Sequence, residues 1–389
     1  MELSSRDTKE RIPIRFPEGM QYESKKGSVK LNGKVQPLRQ CAGMPNRYTL
    51  PPWLQRCLAP DTGQELMAKW YEQIENSEQK RLKGVIAHHS QVKDSFLDHP
   101  FSIVAAMEKG ALNRYNRIWP FVLYEYTRVK LRNKTNDYIN ANYIQYSDVD
   151  TVLASSSSSQ VPTLLSLQEQ NDACSTNRRY PRYISTQGPL PVTFDDFWTV
   201  VWDEGCSVIV MLTKEEEMNR IKCHRYWPTK AEKIKVFDSI AVEFVSEREY
   251  LPSSTIRSQH ELEDEDGKTM GVPDDPLGAL KLVELAQKSQ AKLKQQKEQN
   301  VDDGLMIVHC SAGCGRTGAF CAIDTVIQRL SNTNHLTKEE RTGEIDLIYQ
   351  TVSKFREQRI CMVQTLRQFI FVYEAILWWI LGVDSAQQQ

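Results

Sequence analysis

A cysteine and an arginine separated by five residues, Cys310 and Arg316, stand in the segment Val308-His309-Cys310-Ser311-Ala312-Gly313-Cys314-Gly315-Arg316-Thr317-Gly318. A short apolar run, Leu305 to His309, precedes them, and a helical pattern from about Thr317 to Leu330 follows. A small-residue loop between a buried strand and a helix can turn its backbone N–H groups inward, and the helix N-terminus adds partial positive charge behind them. The N–H groups of Ser311, Ala312, Gly313, Cys314, Gly315 and Arg316 then form an anion cradle. Arg316 offers a planar bidentate fork to two phosphate oxygens from the side opposite Cys310. The same cradle favours the Cys310 thiolate, which makes it a nucleophile at neutral pH. Cys310 and Cys314 have no His or Cys partners at zinc spacing, so neither a metal nor a cofactor is implied.

The elements that must position this loop follow from periodicity. Leu66, Trp70, Ile74 and Leu82 recur at helical spacing, and a second helix is expected over Phe101–Lys109. Ser207–Thr213 reads as a buried strand, like Leu305–His309. Asp275-Pro276 reads as a helix cap followed by proline at the first turn, opening a helix that fades near Gln299. Further helices are expected at Ile345–Gln358 and Leu366–Leu381. Residues 147–180 contain five consecutive serines, Ser155 to Ser159, and read as a solvated insertion. Residues 1–49 are polar and read as a flexible N-terminal extension, leaving 50–385 as one domain of mixed strands and helices, α/β or α+β.

The chain has 389 residues, 49 basic and 50 acidic, for a formal net charge of -1. This balance argues against a surface built for nucleic acid. The nine cysteines do not form a disulfide framework pattern. The longest apolar stretch, Phe369 to Leu381, is interrupted by Glu374 and falls short of the ~20 residues that span a bilayer. The expectation is a soluble protein with free thiols, in the cytoplasm and also the nucleus, with no membrane span; the oligomeric state is not legible.

The Cys-x5-Arg segment resembles the signature of the cysteine-dependent phosphatases, and four further segments narrow the resemblance to the tyrosine-specific protein phosphatases of non-receptor type. These are Asn136-Asp137-Tyr138-Ile139-Asn140-Ala141-Asn142-Tyr143-Ile144, Tyr183-Ile184-Ser185-Thr186-Gln187-Gly188-Pro189-Leu190, Lys222-Cys223-His224-Arg225-Tyr226-Trp227-Pro228, and Met362-Val363-Gln364-Thr365 followed by Gln368. They cover most of residues 95–385 in the family's order. The resemblance implies a twisted mixed sheet flanked by helices, and partners that are phosphotyrosine-containing proteins. It implies that Cys310 attacks phosphorus and becomes a phosphocysteine, that Arg316 binds the phosphoryl oxygens, and that Thr317 stabilises the leaving thiolate. Gln364 positions the hydrolytic water with Gln368 nearby, and His309 supports the loop. Glu217 and Lys222 fall at the spacing of a loop that leans over the site, though Glu217 equally fits a solvated charge run, Lys214-Glu215-Glu216-Glu217.

Asn113-Arg114-Tyr115-Asn116-Arg117-Ile118-Trp119-Pro120 resembles the family's phosphotyrosine-recognition loop. Tyr115 is implied to stack on the substrate ring and set a cleft too deep for phosphoserine. Arg117 stands where the family usually has an acid, which points towards a different, acidic peptide. A second departure concerns the general acid, which the family places in Trp-Pro-Asp-x-Gly-x-Pro. Gly271-Val272-Pro273 matches the end of that motif, but Gly267, Lys268 and Thr269 occupy the Trp, Pro and Asp positions. Asp264, Asp266, Asp274 and Asp275 are the nearest carboxylates, and Asp275 already has a role as a helix cap. An impaired phosphatase and a phosphotyrosine-binding pseudophosphatase both fit this pattern.

Overall fold

The computed structural model describes residues 12–41, 44–91, 101–115, 124–132, 134–146, 182–248, 272–273, 275–296, 305–332 and 336–383. The Ser-rich insertion, residues 116–123 with Arg117, and Asp264, Asp266, Gly267, Lys268, Thr269, Gly271 and Asp274 lie outside them.

A five-stranded sheet carries the architecture. It comprises β4 (Arg128–Lys130), β5 (Tyr138–Gln145), β6 (Arg182–Thr186), β7 (Val208–Met211) and β12 (Met306–His309). The order is β4-β5-β6-β12-β7; β12 runs parallel to both neighbours, whereas β4, β5 and β6 pair antiparallel. A strand with parallel partners on both sides is covered on both faces, which is why β12 has no polar alternation. Met306 and Val308 face one core, and Leu305 and Ile307 face the other.

The larger core lies under α6 (Gly315–Ser331), α8 (Leu347–Gln358) and α9 (Leu366–Ile380). α9 is buried at every position but Trp378, with Thr365 accepting from the Gln368 amide at its start. Asp346 caps α8 by accepting from the Ile348 and Tyr349 amides. The smaller core lies under α4 (Phe194–Asp203), through Phe197 and Val200. The mixed sheet between helical layers is the fold class that the sequence implies. The smaller elements are the α1 (Pro52–Cys57), α2 (Gly63–Gln91), α3 (Val104–Glu108), α5 (Leu277–Gln296) and α7 (Lys338–Thr342) helices, and the hairpins β8 (Glu216–Glu217) with β9 (Arg220–Ile221) and β10 (Ile234–Phe237) with β11 (Ile240–Glu243).

The N-terminal region differs from its expectation. Over 12–41 and 44–49 the chain is not a flexible extension. β1 (Met20–Glu23), β2 (Ser28–Leu31) and β3 (Lys34–Val35) form an antiparallel sheet. Val29, Leu38 and Cys41 are buried in the larger core, with Ile12, Ile14, Phe16 and Tyr22 packed against it. The Arg39 amide donates to the Ile380 carbonyl at 2.8 Å, and Arg15 forms an ion pair with Glu374 at 2.7 Å. Strands of two to four residues, each with a lysine or glutamate, carry too few apolar positions for their alternation to stand out.

Candidate active site

Cys310 follows the C-terminal end of β12, an interior strand of the sheet, and α6 begins five residues later at Gly315. The loop between them must turn sharply. Gly313 sits at φ +73°, and a Cβ there would lie 2.1 Å from the Thr186 carbonyl oxygen, so no other residue fits. The loop carbonyls are held outward. Ser311 O accepts from the Gly188 amide at 2.9 Å, and Gly313 O accepts from the Ser185 hydroxyl at 2.8 Å and from Arg359 Nε at 2.9 Å. Ala312 O accepts from Arg359 Nη2 at 3.0 Å. Arg359 is buried and is itself aimed by Asn140 and Asn142, whose side-chain oxygens accept from it at 2.7 and 2.6 Å.

Outward carbonyls leave inward amides. Gly313 N–H donates to Cys310 Sγ at 3.2 Å, and the Cys314 and Thr317 amides also favour the sulfur anion. The buried Thr317 hydroxyl makes no regular hydrogen bond among the described residues, and its dipole lies where it favours the sulfur anion. Burial alone would raise the Cys310 pKa. The Thr317 hydroxyl, the Arg316 charge and the loop amides outweigh it, so the pKa lies below the ordinary thiol value. Cys314, four residues on, lacks this help, and burial pushes its thiol up to about 11. The difference between the two thiols comes from the cradle and not from exposure, since both are buried.

Arg316 is held in a bidentate fork by Glu217, with both N–O distances 2.7 Å. Its Nη1 also donates to the Leu212 carbonyl at 3.2 Å. Thr213 Oγ1 and the Lys214 amide fix Glu217 from behind at 2.8 and 3.0 Å. Burial works to raise the Glu217 carboxyl, but the Arg316 fork dominates and lowers it to about 2. Glu217 therefore sits on Arg316 and is not part of a solvated charge run. Lys222 meets the loop through its carbonyl, which accepts from the Ser311 hydroxyl at 2.8 Å. Ser311 Oγ in turn shares a 2.7 Å hydrogen bond with the Tyr115 hydroxyl, bringing the expected recognition tyrosine to the rim of the cradle.

His309, the residue before Cys310, is fully buried. Its Nδ1 lies 3.1 Å from the Cys310 carbonyl, which can only accept, so the neutral ring donates there. Nε2 then accepts from the Tyr226 hydroxyl at 2.7 Å. Burial lowers the imidazole pKa to about 4. Gln364 is exposed on the turn before α9, and its amide donates to Gln368 Oε1 at 2.8 Å. The Gln368 side chain also covers Gly315, where a Cβ would lie 2.7 Å from Oε1. All the site residues named from the sequence thus gather around one loop. Asp275 accepts from the Leu277 amide at 2.9 Å and caps α5, as its sequence context indicates.

Three side chains in this assembly are not singled out by the sequence. Arg359 holds the loop carbonyls. Arg114 donates to the Gly188 and Pro189 carbonyls at 2.9 and 2.8 Å and anchors the segment carrying Tyr115. Tyr226 holds His309. Arg359 lies five residues before Gln364, but an arginine near a helix end carries no local sign that it is buried. Arg114 and Tyr226 fall inside segments quoted for the resemblance, so their motifs were the available signal.

The comparisons agree with this geometry. A family profile described as Protein-tyrosine phosphatase matches residues 111–378. Tyrosine-protein phosphatase 69D of Drosophila melanogaster is 30% identical over 329 residues, covering 78% of this chain and 19% of the relative. Tyrosine-protein phosphatase Lar-like of Caenorhabditis elegans is 34% identical over 281 residues, covering 68% of this chain and 10% of the relative. A solved structure from work on the PTPN18 fingerprint on distinct HER2 tyrosine phosphorylation sites superposes with a TM-score of 0.53 at 26% identity, covering 84% of this chain and 98% of that one. The chain belongs to the protein-tyrosine phosphatase family. It spans about a tenth to a fifth of the length of these two curated relatives.

Proposed function

We propose that the chain hydrolyses phosphotyrosine in two steps on Cys310. The thiolate attacks phosphorus, an S–P bond forms, and the P–O bond to the tyrosyl oxygen breaks. Water then attacks phosphorus, the S–P bond breaks, and inorganic phosphate leaves. The reading is carried by the Cys310 sulfur, which accepts from the Gly313 amide and whose anion the cradle favours, while Arg316 stands poised by Glu217. Arg316 and the loop amides from Ser311 to Gly315 bind the phosphoryl oxygens and take up charge in the transition state. Gln364, steadied by Gln368, orients the water. Tyr115 at the rim selects the long aryl phosphate. No cofactor enters either step. Among the described residues, no group of three or more His, Cys, Asp or Glu is gathered as a metal site.

The first step expels a phenolate with a pKa of about 10 and gains from a general acid, typically about 10²–10⁴-fold. Thr269 in the place of the acid favours a slow enzyme, or a second reading in which the domain captures phosphotyrosine and turns it over little. Leaving-group dependence across substituted aryl phosphates separates the two. A steep dependence, with turnover of activated esters abolished by Cys310→Ser, supports an acid-deficient phosphatase. Absence of turnover even with activated esters, while phosphopeptide still binds, establishes the binding module.

We further propose a non-receptor phosphatase working in the cytoplasm and nucleus. The described cysteines are all free, and a thiolate nucleophile needs a reducing setting. The proposed domain, 50–385, rests on the family match together with α1 and α2, and the packed N-terminal sheet extends it.

A further inference from the structure

α2 precedes the matched region, which starts at residue 111, yet one of its faces reaches the loop that carries Gln364. Tyr71, Glu75 and Glu78 are spaced i, i+4, i+7 and lie along one side of the helix. Four consecutive residues of the loop are bonded to this face or to the arginine that it holds. The Cys361 amide donates to both Glu78 carboxylate oxygens at 3.1 and 3.2 Å. The Met362 and Val363 carbonyls accept from Arg356 Nε and Nη2 at 2.6 and 2.7 Å. The Gln364 carbonyl accepts from the Tyr71 hydroxyl at 2.5 Å. Arg356 is fully buried, and it reaches this position through ion pairs to Glu75 at 2.6 Å and Glu78 at 2.7 Å.

The loop needs this restraint. Cys361 and Val363 have φ of +59° and +60°, and neither is glycine. A β-branched residue with positive φ is a genuine outlier and persists only where its surroundings over-determine it. On its other side the loop touches the first turn of α6, where a Cβ on Gly318 would lie 2.3 Å from the Val363 nitrogen. The first turn of α6, which carries Arg316, is therefore packed directly on the backbone of residues 362 and 363. Any relaxation of that backbone moves Gln364 relative to the cradle.

We propose that Tyr71, Glu75 and Glu78 of α2 are positioning residues that act on the backbone of residues 361–364, largely through Arg356, and thereby set Gln364 for hydrolysis of the phosphocysteine. The inference rests on the reading of Gln364 as the residue that orients water. It assigns α2 to the second chemical step and not to substrate capture.

The test follows the decay of the phosphoenzyme. The full chain is loaded with a 32P-labelled aryl phosphate bearing a good leaving group, chased with unlabelled substrate, and quenched in acid at intervals. Tyr71→Phe removes a single hydroxyl and leaves the ring in place. We expect its phosphoenzyme to decay about tenfold more slowly than wild type, short of the ~10²-fold that a 1 Å misplacement costs. kcat should fall and KM should fall with it, so that kcat/KM stays within about twofold, because formation of the intermediate is untouched. Glu78→Gln should behave alike, with Glu78→Asp partly restoring decay, and Gln364→Ala serves as the reference. Slow decay in Gln364→Ala with normal decay in Tyr71→Phe overturns this inference alone. Normal decay in Gln364→Ala removes the reading beneath it, and the inference with it. A parallel loss of kcat and kcat/KM in Tyr71→Phe, with no slowed decay, shows a merely structural role and also overturns it. If Glu78→Gln does not fold, Tyr71→Phe alone decides.

Discussion

At the scale of single residues, the site depends on charge states that burial and hydrogen bonds set against each other. Cys310 and Cys314 differ by their amide and hydroxyl neighbours, so the thiol pKa is lowered at the first and raised at the second. His309 is the complementary case, because its neutral ring holds the Cys310 carbonyl and the Tyr226 hydroxyl at once. Its folded pKa of about 4 lies below the ordinary 6.5. The unfolded chain therefore binds a proton more readily between those values, and stability rises with pH across that window. The contribution is fully present above pH 6.5 and is lost as pH falls towards 4. We expect denaturant unfolding to show a loss on the order of 2 kcal/mol attributable to this residue between pH 7 and pH 4.5. His309→Gln should flatten the profile over that interval while lowering stability at pH 7. An identical pH slope in the variant would show that the proton uptake belongs elsewhere.

At the scale of elements, the strand–loop–helix unit was legible because its pattern is dense. β12, the small-residue loop and α6 follow one another within about 25 residues, each with its own signal. Cys310, Arg316 and the loop amides fall where the sequence places them. α5, α8 and α9 were equally legible through caps and apolar periodicity. What escaped was long-range. Arg359 and Arg114 act by aiming guanidinium groups at backbone carbonyls, and no local pattern announces which carbonyl an arginine will find. The general-acid segment of the sequence falls on residues outside those described. The loop's tightest constraint is Gly313, and it yields a sharp test. Gly313→Ala adds a methyl group against the Thr186 carbonyl and forces a residue with a Cβ into positive φ. We expect kcat/KM to fall by at least ~10²-fold, the scale for misplacing reacting groups by 1 Å, with a stability loss of about 1–3 kcal/mol. Retention of near-normal activity would mean that the cradle does not require this turn.

At the scale of the whole molecule, the N-terminal sheet is part of the core, and the polar composition of residues 1–49 conceals this. Arg15 is its main fastening. Arg15 Nε and Nη2 donate to the two Glu374 carboxylate oxygens, its amide donates to the same carboxylate, and Nη2 also reaches the Pro273 carbonyl at 3.1 Å. Glu374 is fully buried in α9, and burial pushes its carboxyl up to about 7 while Arg15 works against that shift. Arg367 also donates to both carboxylate oxygens, at 2.9 and 3.0 Å. Arg15→Ala leaves the buried carboxylate with one guanidinium partner. Because Arg15 is about a third exposed, we expect a loss of about 2 kcal/mol, at the low end for breaking a buried pair. Thermal unfolding should show a Tm lower by several degrees. An unchanged Tm would return residues 12–41 to the status of a dispensable tail.

The union of Arg15 and Arg39 with α9 also bears on how the protein is made. The ribosome releases β1, β2 and β3 before the partners that bury them, and Glu374, Trp378 and Ile380 follow only after more than 300 further residues. The core cannot close until α9 has emerged. Phe16, Tyr22 and Val29 wait exposed through synthesis of more than 300 residues, so this segment is the one most in need of chaperone cover until α9 is made.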